Sequence, residues 1–302
     1  MTIGLPRALL FYRYQYLWTT FFQELGCQVI ISPDTSQAVL TEGISNSIGE
    51  CCLPAKLFLG HVASLLGRCD YILVPRFHSL DRDGEFCVRL WGLPDLVRST
   101  FPDAPLIGYD LQGLASEQRG FLRMGKLLGK SQAQTLQAYH LALRDQARQD
   151  ELSRKRQQER LSSPAPKVLI VAQPYLIYDG YVGAPLVRLL EEQGGVPIFS
   201  DRCNRESSRA DAKTLSSDLY WVLNQESIGA IPAMRPLVDG ILLVTAFPCG
   251  TDSLANELVL RREKHLPIAQ ILLDEQQGMA GMQTRIECFM DILHERSCAN
   301  VR

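Results

Sequence analysis

Nine cysteines carry the most reactive chemistry in this chain: Cys27, Cys51, Cys52, Cys69, Cys87, Cys203, Cys249, Cys288 and Cys298. Deprotonated, they are nucleophiles and soft metal ligands. They are densest at Gly49-Glu50-Cys51-Cys52-Leu53-Pro54-Ala55-Lys56. Neighbouring cysteines rarely bridge to each other, because a disulfide needs more separation than adjacent residues easily give. The count is odd, the spacing irregular, and no C-x-x-C occurs. A disulfide framework, a zinc ribbon and a thioredoxin-like motif are therefore not written locally. A metal held by these thiols must be assembled from distant segments.

The elements that carry the cysteines divide them into groups. "LPAKLFLGHVASLLG" reads as a helix with Pro54 in its first turn, where a missing N–H does no harm, so Cys52 stands at a helix start. The helix dipole and free N–H groups favour a thiolate there. Cys87 comes after the strand-like "YILVPRF", and Cys249 directly follows "GILLVTAF" in "FPCGTDS", where Gly250 leaves room for close approach. In open α/β sheets the functional crevice lies outside the carboxyl ends of the strands. Cys52, Cys87 and Cys249 thus form a candidate set facing one cleft. Three thiolates can hold an iron–sulfur cubane with one iron open, and a fourth closes it. Cys27, Cys69 and Cys288 fit the ordinary role of small buried hydrophobes. Cys203 falls in a polar loop, and Cys298 near the end of the chain.

Strand-like and helix-like segments alternate along the chain, which predicts an α/β fold of two Rossmann-like parallel-sheet domains with a cleft between them. The first covers residues 1–130, from "TIGLP" through "CDYILVPRF" and "PLIGYD". Residues 131–166 form a connector: a polar helix, "SQAQTLQAYHLALRDQARQDELSRKRQQ", then the linker "LSSPAP". The second covers 167–302, with strands at "KVLIVAQ", "VPIFSD", "DGILLVTAF" and "PIAQILLDE". No G-x-G-x-x-G follows either first strand, so dinucleotide binding has no support.

Of the 302 residues, 46% are hydrophobic and 21% charged, and the formal net charge is -2. That balance gives no electrostatic case for nucleic acid or an acidic membrane surface. The opening "MTIGLPRALLFYRYQYLW" lacks the basic-then-apolar pattern of a secretory signal. No apolar run approaches the roughly 20 residues that span a bilayer. A cytoplasmic protein is expected.

Several blocks, in order, carry a family resemblance. "IGLPRALLFYRYQYLWTTFFQELGCQVIISP", "ECCLPAKLFLGHV", "YILVPRF" with its later cysteine and "GLPDLVR", "AQPYLIYDGYVGAPLVRLLEEQG", "FPCGTDS" and "LLDEQQGMAGMQTRIECFMDIL" run from residue 3 to about 293. Together they resemble the 2-hydroxyacyl-CoA dehydratase activase-related family. Its relatives include subunits of 2-hydroxyacyl-CoA dehydratases, benzoyl-CoA reductase-like proteins and double-cubane cluster proteins. The resemblance implies an iron–sulfur cluster, either a 4Fe-4S cubane or a double-cubane 8Fe-9S cluster. It also implies an ATP-hydrolysing iron–sulfur activase as electron donor, and pairing as a homodimer or with another subunit. Carried over by position, the ligands are Cys52, Cys87 and Cys249, with Cys51 as a possible extra one. The chain departs from the family pattern at Val88, Gln173 and Gln276-Gln277, where the family commonly has proline, histidine and a histidine–threonine pair. Those changes leave the thiols in place and remove borrowed acid–base roles.

Around the cysteines, Lys56 reads either as a charge that tunes a cluster or as a solvated helix lysine. Arg76 reads as a cleft residue or a salt-bridge partner. Asp179 and Asp252-Ser253 read as turn and cap residues, Asp274-Glu275 as a structural strand end or a general acid or base, and Tyr175 and Tyr178 as packing or cleft-lining residues. The expected function is a low-potential iron–sulfur electron acceptor or reductase component acting on a small, possibly acyl-CoA, substrate. The alternatives are a non-catalytic small-molecule or partner-binding module of the same fold, and a zinc-thiolate protein.

Overall fold

The computed structural model of the chain describes residues 1–81, 84–276 and 278–299. Gln277 and the side chain of Cys298 lie outside the described residues. The chain forms two compact units, Met1–Asp150 with Tyr220–Val222, and Glu151–Leu219 with Leu223 onward.

The first unit runs β1 (Thr2–Leu5), α1 (Phe11–Glu24), β2 (Gln28–Ile31), α2 (Gln37–Ser45), α3 (Leu53–Ala63), β3 (Tyr71–Leu73), β4 (Arg76–Ser79), α4 (Val88–Trp91), α5 (Leu93–Thr100), β5 (Leu106–Ile107), β6 (Asp110–Gln112), α6 (Leu114–Leu127) and the start of α7 (Gln132–Leu161). Its four-stranded sheet has the order β2-β1-β3-β5, with every pairing parallel. The single strands expected at "CDYILVPRF" and "PLIGYD" each divide in two, and β4 pairs β6 in a separate two-stranded ladder. Pro75 has no N–H to give, and Gly108 opposite it presses on the carbonyl of Val74, where a Cβ would collide. Hydrogen bonds from Val74 N to Ile107 O (2.8 Å) and Arg76 N to Tyr109 O (2.8 Å) carry the pairing across the break. Phe21, Phe22, Phe77 and Phe121 fill the core of this unit, Phe21 and Phe121 meeting edge-on with centroids 4.7 Å apart. Cys27 is buried in the role expected of it.

The second unit runs β7 (Lys167–Val171), α8 (Pro174–Ile177), α9 (Ala184–Glu192), β8 (Val196–Phe199), α10 (Arg205–Leu215), α11 (Val222–Ile228), α12 (Ala230–Met234), β9 (Gly240–Ala246), α13 (Gly250–Arg262), β10 (Ile268–Leu273) and α14 (Met279–Ala299). Its sheet order is β10-β9-β7-β8, again all parallel. Both sheets therefore read second-first-third-fourth along the chain, the repeated Rossmann-like plan. Every residue of β9 is buried, as a central parallel strand covered on both faces demands. The polar stretch after Cys203 is helical. Asn204 caps α10, accepting from Ser207 N at 3.0 Å, and Ala212 and Leu215 bury its inner face. Cys288 on α14 is exposed, contrary to its expected burial. Its helix is two-sided, and Ile286, Phe289, Met290 and Leu293 take the covered side.

Helix α3 is seated by two close contacts. A Cβ on Gly43 would strike the carbonyl of Lys56, and one on Gly60 the carbonyl of Val39, so α2 and α3 cross backbone to backbone. Near the other end of α3, His61 is fully buried. Its Nδ1 meets Ser32 Oγ at 2.9 Å and its Nε2 meets Thr35 Oγ1 at 3.0 Å, which ties the helix to the loop after β2. Burial, then the charge of Arg7, lowers its pKa to about 4.

Two predictions follow from this seat. Gly60→Ala destabilises the protein by about 2 kcal/mol in urea denaturation, the usual cost of forcing extra volume into a packed contact. Gly180→Ala, with nothing within 4 Å of the added carbon, has no such effect. His61 binds its proton more readily in the unfolded chain, so stability falls as pH drops from 6.5 towards 4. The His61 share of that loss reaches roughly 3 kcal/mol. The slope of unfolding free energy against pH becomes shallower by that share in His61→Gln, and coincident slopes would show that His61 titrates normally.

Candidate functional site

In each sheet the chain order reverses between the first and third strands, and the carboxyl edge there is where open α/β sheets receive ligands. In the first unit the loop leaving β1 holds Leu9 at φ 50°, a left-handed conformation uncommon for leucine. In the second unit the residues at that edge are Gln173, leaving β7, and the Phe247-Pro248-Cys249 segment, leaving β9.

The three expected ligand cysteines share one structural position. Cys52 is the N-cap of α3, Cys87 of α4 and Cys249 of α13. Each has extended backbone angles; the side chains of Cys87 and Cys249 make no capping hydrogen bond, while at Cys52 the first-turn N–H of Ala55 acts on the sulfur. N-caps are ordinarily Ser, Thr, Asp or Asn, whose oxygens bond the free N–H groups of the first turn. Cysteine has no such propensity, so its recurrence at three starts is not explained by helix formation.

In the first unit Cys51, Cys52 and Cys87 lie within electrostatic reach of one another. Burial pushes the Cys52 thiol up to about 11, the Ala55 N–H lowers it, Cys87 and Cys51 raise it, and Arg89 lowers it. Burial outweighs the helix start, so the dipole alone does not hold a thiolate here, contrary to the simple expectation. Cys51 is fully buried, and burial raises it while Arg89 and Lys56 pull it down. Lys56 is itself buried rather than solvated. Arg89 was not legible as part of the site. Its Nη2 donates to Glu50 O at 3.4 Å, which brings its charge beside the adjacent cysteines. The one local signal was a basic residue two places after Cys87.

In the second unit Cys249 Sγ lies 3.5 Å from Thr251 Oγ1. Asp252, expected as a cap or turn residue, is buried instead. Its Oδ1 accepts from Gln173 Nε2 at 2.9 Å and from Asn224 Nδ2 at 2.7 Å. Burial raises its pKa against the lowering effects of those amides and of Cys249. Gln173 thus acts as a donor to Asp252. Asn224 comes from α11, a helix the sequence did not announce.

The remaining candidates have structural partners. Arg76 grips Asp95 through two bonds, Nη1–Oδ2 at 2.7 Å and Nη2–Oδ1 at 2.9 Å, the salt-bridge alternative. Asp179 Oδ1 accepts from Tyr181 N and Val182 N, both at 2.9 Å, as a turn residue does. Tyr178 bonds Asp201 and receives Arg202 Nε. Asp274 accepts from Gln276 N. Cys203 meets Gln157 Nε2 at 3.8 Å, and burial raises it to about 12. Among the described residues no three His, Cys, Asp or Glu side chains are gathered as a metal-holding group. Among the same residues no helix is long and apolar enough to cross a membrane.

No curated protein matches the sequence. A solved structure of ZnuA is similar over 97% of this chain and 98% of its own, at 11% identity and a TM-score of 0.30, a likeness too weak to bear on fold or function. A family profile described as "CoA enzyme activase uncharacterised domain" matches residues 2–202, two thirds of the chain and all of the first unit's sheet. With that match the chain belongs to the CoA enzyme activase uncharacterised domain family.

Proposed function

We propose that this protein is an iron–sulfur component of an acyl-CoA-processing system, in which Cys52, Cys87 and Cys249 are thiolate ligands. The observation that carries the proposal is the placement of all three at helix N-caps. An N-cap residue stands next to the free N–H groups of a helix start, which favour negative charge, and at Cys52 the Ala55 N–H does so directly. Sulfur donors are the set that suits iron–sulfur clusters. When bound, such a cluster supplies single-electron transfer at low potential.

The chain's own contribution is electrostatic. Burial favours neutral thiols at Cys51 and Cys52, so thiolates form there when a cation compensates them. Arg89 lowers the cost for both, and the Ala55 N–H does so for Cys52. Cys51 is then a further thiol beside Cys52, either a ligand or a neighbour that adjusts polarity. The partner that suits this reading is an ATP-hydrolysing iron–sulfur activase delivering single electrons, and the substrate a small acyl-CoA.

Protein purified anaerobically is expected to be brown, with iron and acid-labile sulfide in comparable amounts and an EPR signal on reduction. Cys52→Ala, Cys87→Ala and Cys249→Ala each lose most of the iron, while Cys27→Ala keeps it. Zinc by elemental analysis in colourless protein would favour the zinc-thiolate alternative. Failure to take up iron and sulfide, with equal tolerance of alanine at every cysteine, would favour a binding module without metal.

A further inference from the structure

A cavity of about 510 Å³ opens in the first unit beside β5, the edge strand of its sheet. That volume lies in the range of small-molecule sites, roughly 300–1,000 Å³. Four arginines line it, Arg76, Arg98, Arg119 and Arg123, against one lining carboxylate, Asp110. Three of them, Arg98, Arg119 and Arg123, are exposed, so their charges are open to a ligand from solvent.

The four are not equivalent. Arg76 is committed: its fork holds Asp95, and its Nε lies 3.4 Å from Asp110 Oδ1. Asp95 also meets Arg98 Nη1 at 3.5 Å, so one carboxylate bridges two of the arginines. Arg119 and Arg123, one turn apart on α6, have no ion pair among the described residues. They are held on the cavity by the fold. A Cβ at Gly120, between them in sequence, would strike Tyr109, so α6 lies against the segment between β5 and β6. Pro94, Leu106 and Ile107 add an apolar wall.

We propose that this cavity binds a small phosphorylated molecule, with its phosphoryl groups on Arg119 and Arg123 and an apolar portion against Pro94, Leu106 and Ile107. Guanidinium groups one helical turn apart can share the oxygens of a phosphate ester or diphosphate, and arginine is suited to such contacts by its planar set of donors. Arg98, half of whose counter-charge goes to Arg76, stands as a third cation on the rim. The site lies within one unit and uses none of the cysteines, so it stands or falls apart from the iron–sulfur reading.

Isothermal titration of the full chain with inorganic pyrophosphate in about 0.1 M salt tests it, at an ionic strength where distant surface charges are screened. Saturable binding is expected, weakened at least about tenfold in Arg119→Gln/Arg123→Gln, as the loss of two charge-assisted contacts implies. Arg148→Gln/Arg156→Gln, which removes two exposed arginines of α7, keeps the wild-type affinity. Both pairs are exposed, and matching circular dichroism and melting temperatures establish that each variant is folded. Absence of binding at millimolar pyrophosphate, or equal weakening by both double substitutions, overturns the proposal, the latter because general surface charge then accounts for the affinity.

Discussion

The first backbone N–H groups of a helix have no carbonyl within the helix to bond, and much of this protein is arranged around where those groups emerge. A parallel sheet returns each crossover to the same edge, so helices begin at the carboxyl ends of strands again and again. The two sheets, β2-β1-β3-β5 and β10-β9-β7-β8, both impose this pattern. Where most proteins meet the requirement with a hydroxyl or carboxylate cap, this chain sets a cysteine at α3, α4 and α13. At α3 a backbone N–H that would otherwise steady a capping oxygen, that of Ala55, acts on sulfur.

Shared topology does not make the two units chemically alike. In the first, thiols at Cys51 and Cys52 are surrounded by burial that opposes charge and by Arg89, which favours it. In the second, Cys249 stands near a buried acid, Asp252, whose carboxyl is held by two amides. Gln173 belongs to this difference: its amide nitrogen donates to Asp252 at all pH values, where an imidazole would do so in a pH-dependent way. A neighbour that cannot change protonation is suited to fixing a carboxyl rather than exchanging protons with it.

Position along α3 links the scaffold to the chemistry. The helix carries Cys52 at one end and the buried His61 near the other, with the Gly43–Gly60 crossing between them in space. Glycine allows the backbones of α2 and α3 to touch, and the imidazole spans two hydroxyls to close the far end. Such contacts leave little freedom for a helix to shift, which is the property a ligand-bearing residue needs from its support. Small residues and a neutral histidine contribute to this rigid placement.

The alternation of strand-like and helix-like segments was enough to specify two parallel-sheet units, because period and turn residues are local properties. The helix start at Cys52 was equally legible, since Pro54 marks it, whereas the start at Cys249 was not, because Gly250 and Asp252-Ser253 read as a turn and cap ahead of the helix. Other features depended on residues far apart in sequence. Nothing local joins Arg89 to Glu50, or Asn224 and Gln173 to Asp252, and the break of "CDYILVPRF" into two strands required Gly108 on the neighbouring strand to press on Val74. Burial decided the rest. A sequence shows that Asp252 and Cys52 are ionisable, but the free energy of their charged forms depends on how much water the completed fold leaves around them. Composition and pattern therefore determined the architecture and the identity of the candidate thiols, while only tertiary structure decided the electrostatic environment in which those thiols sit.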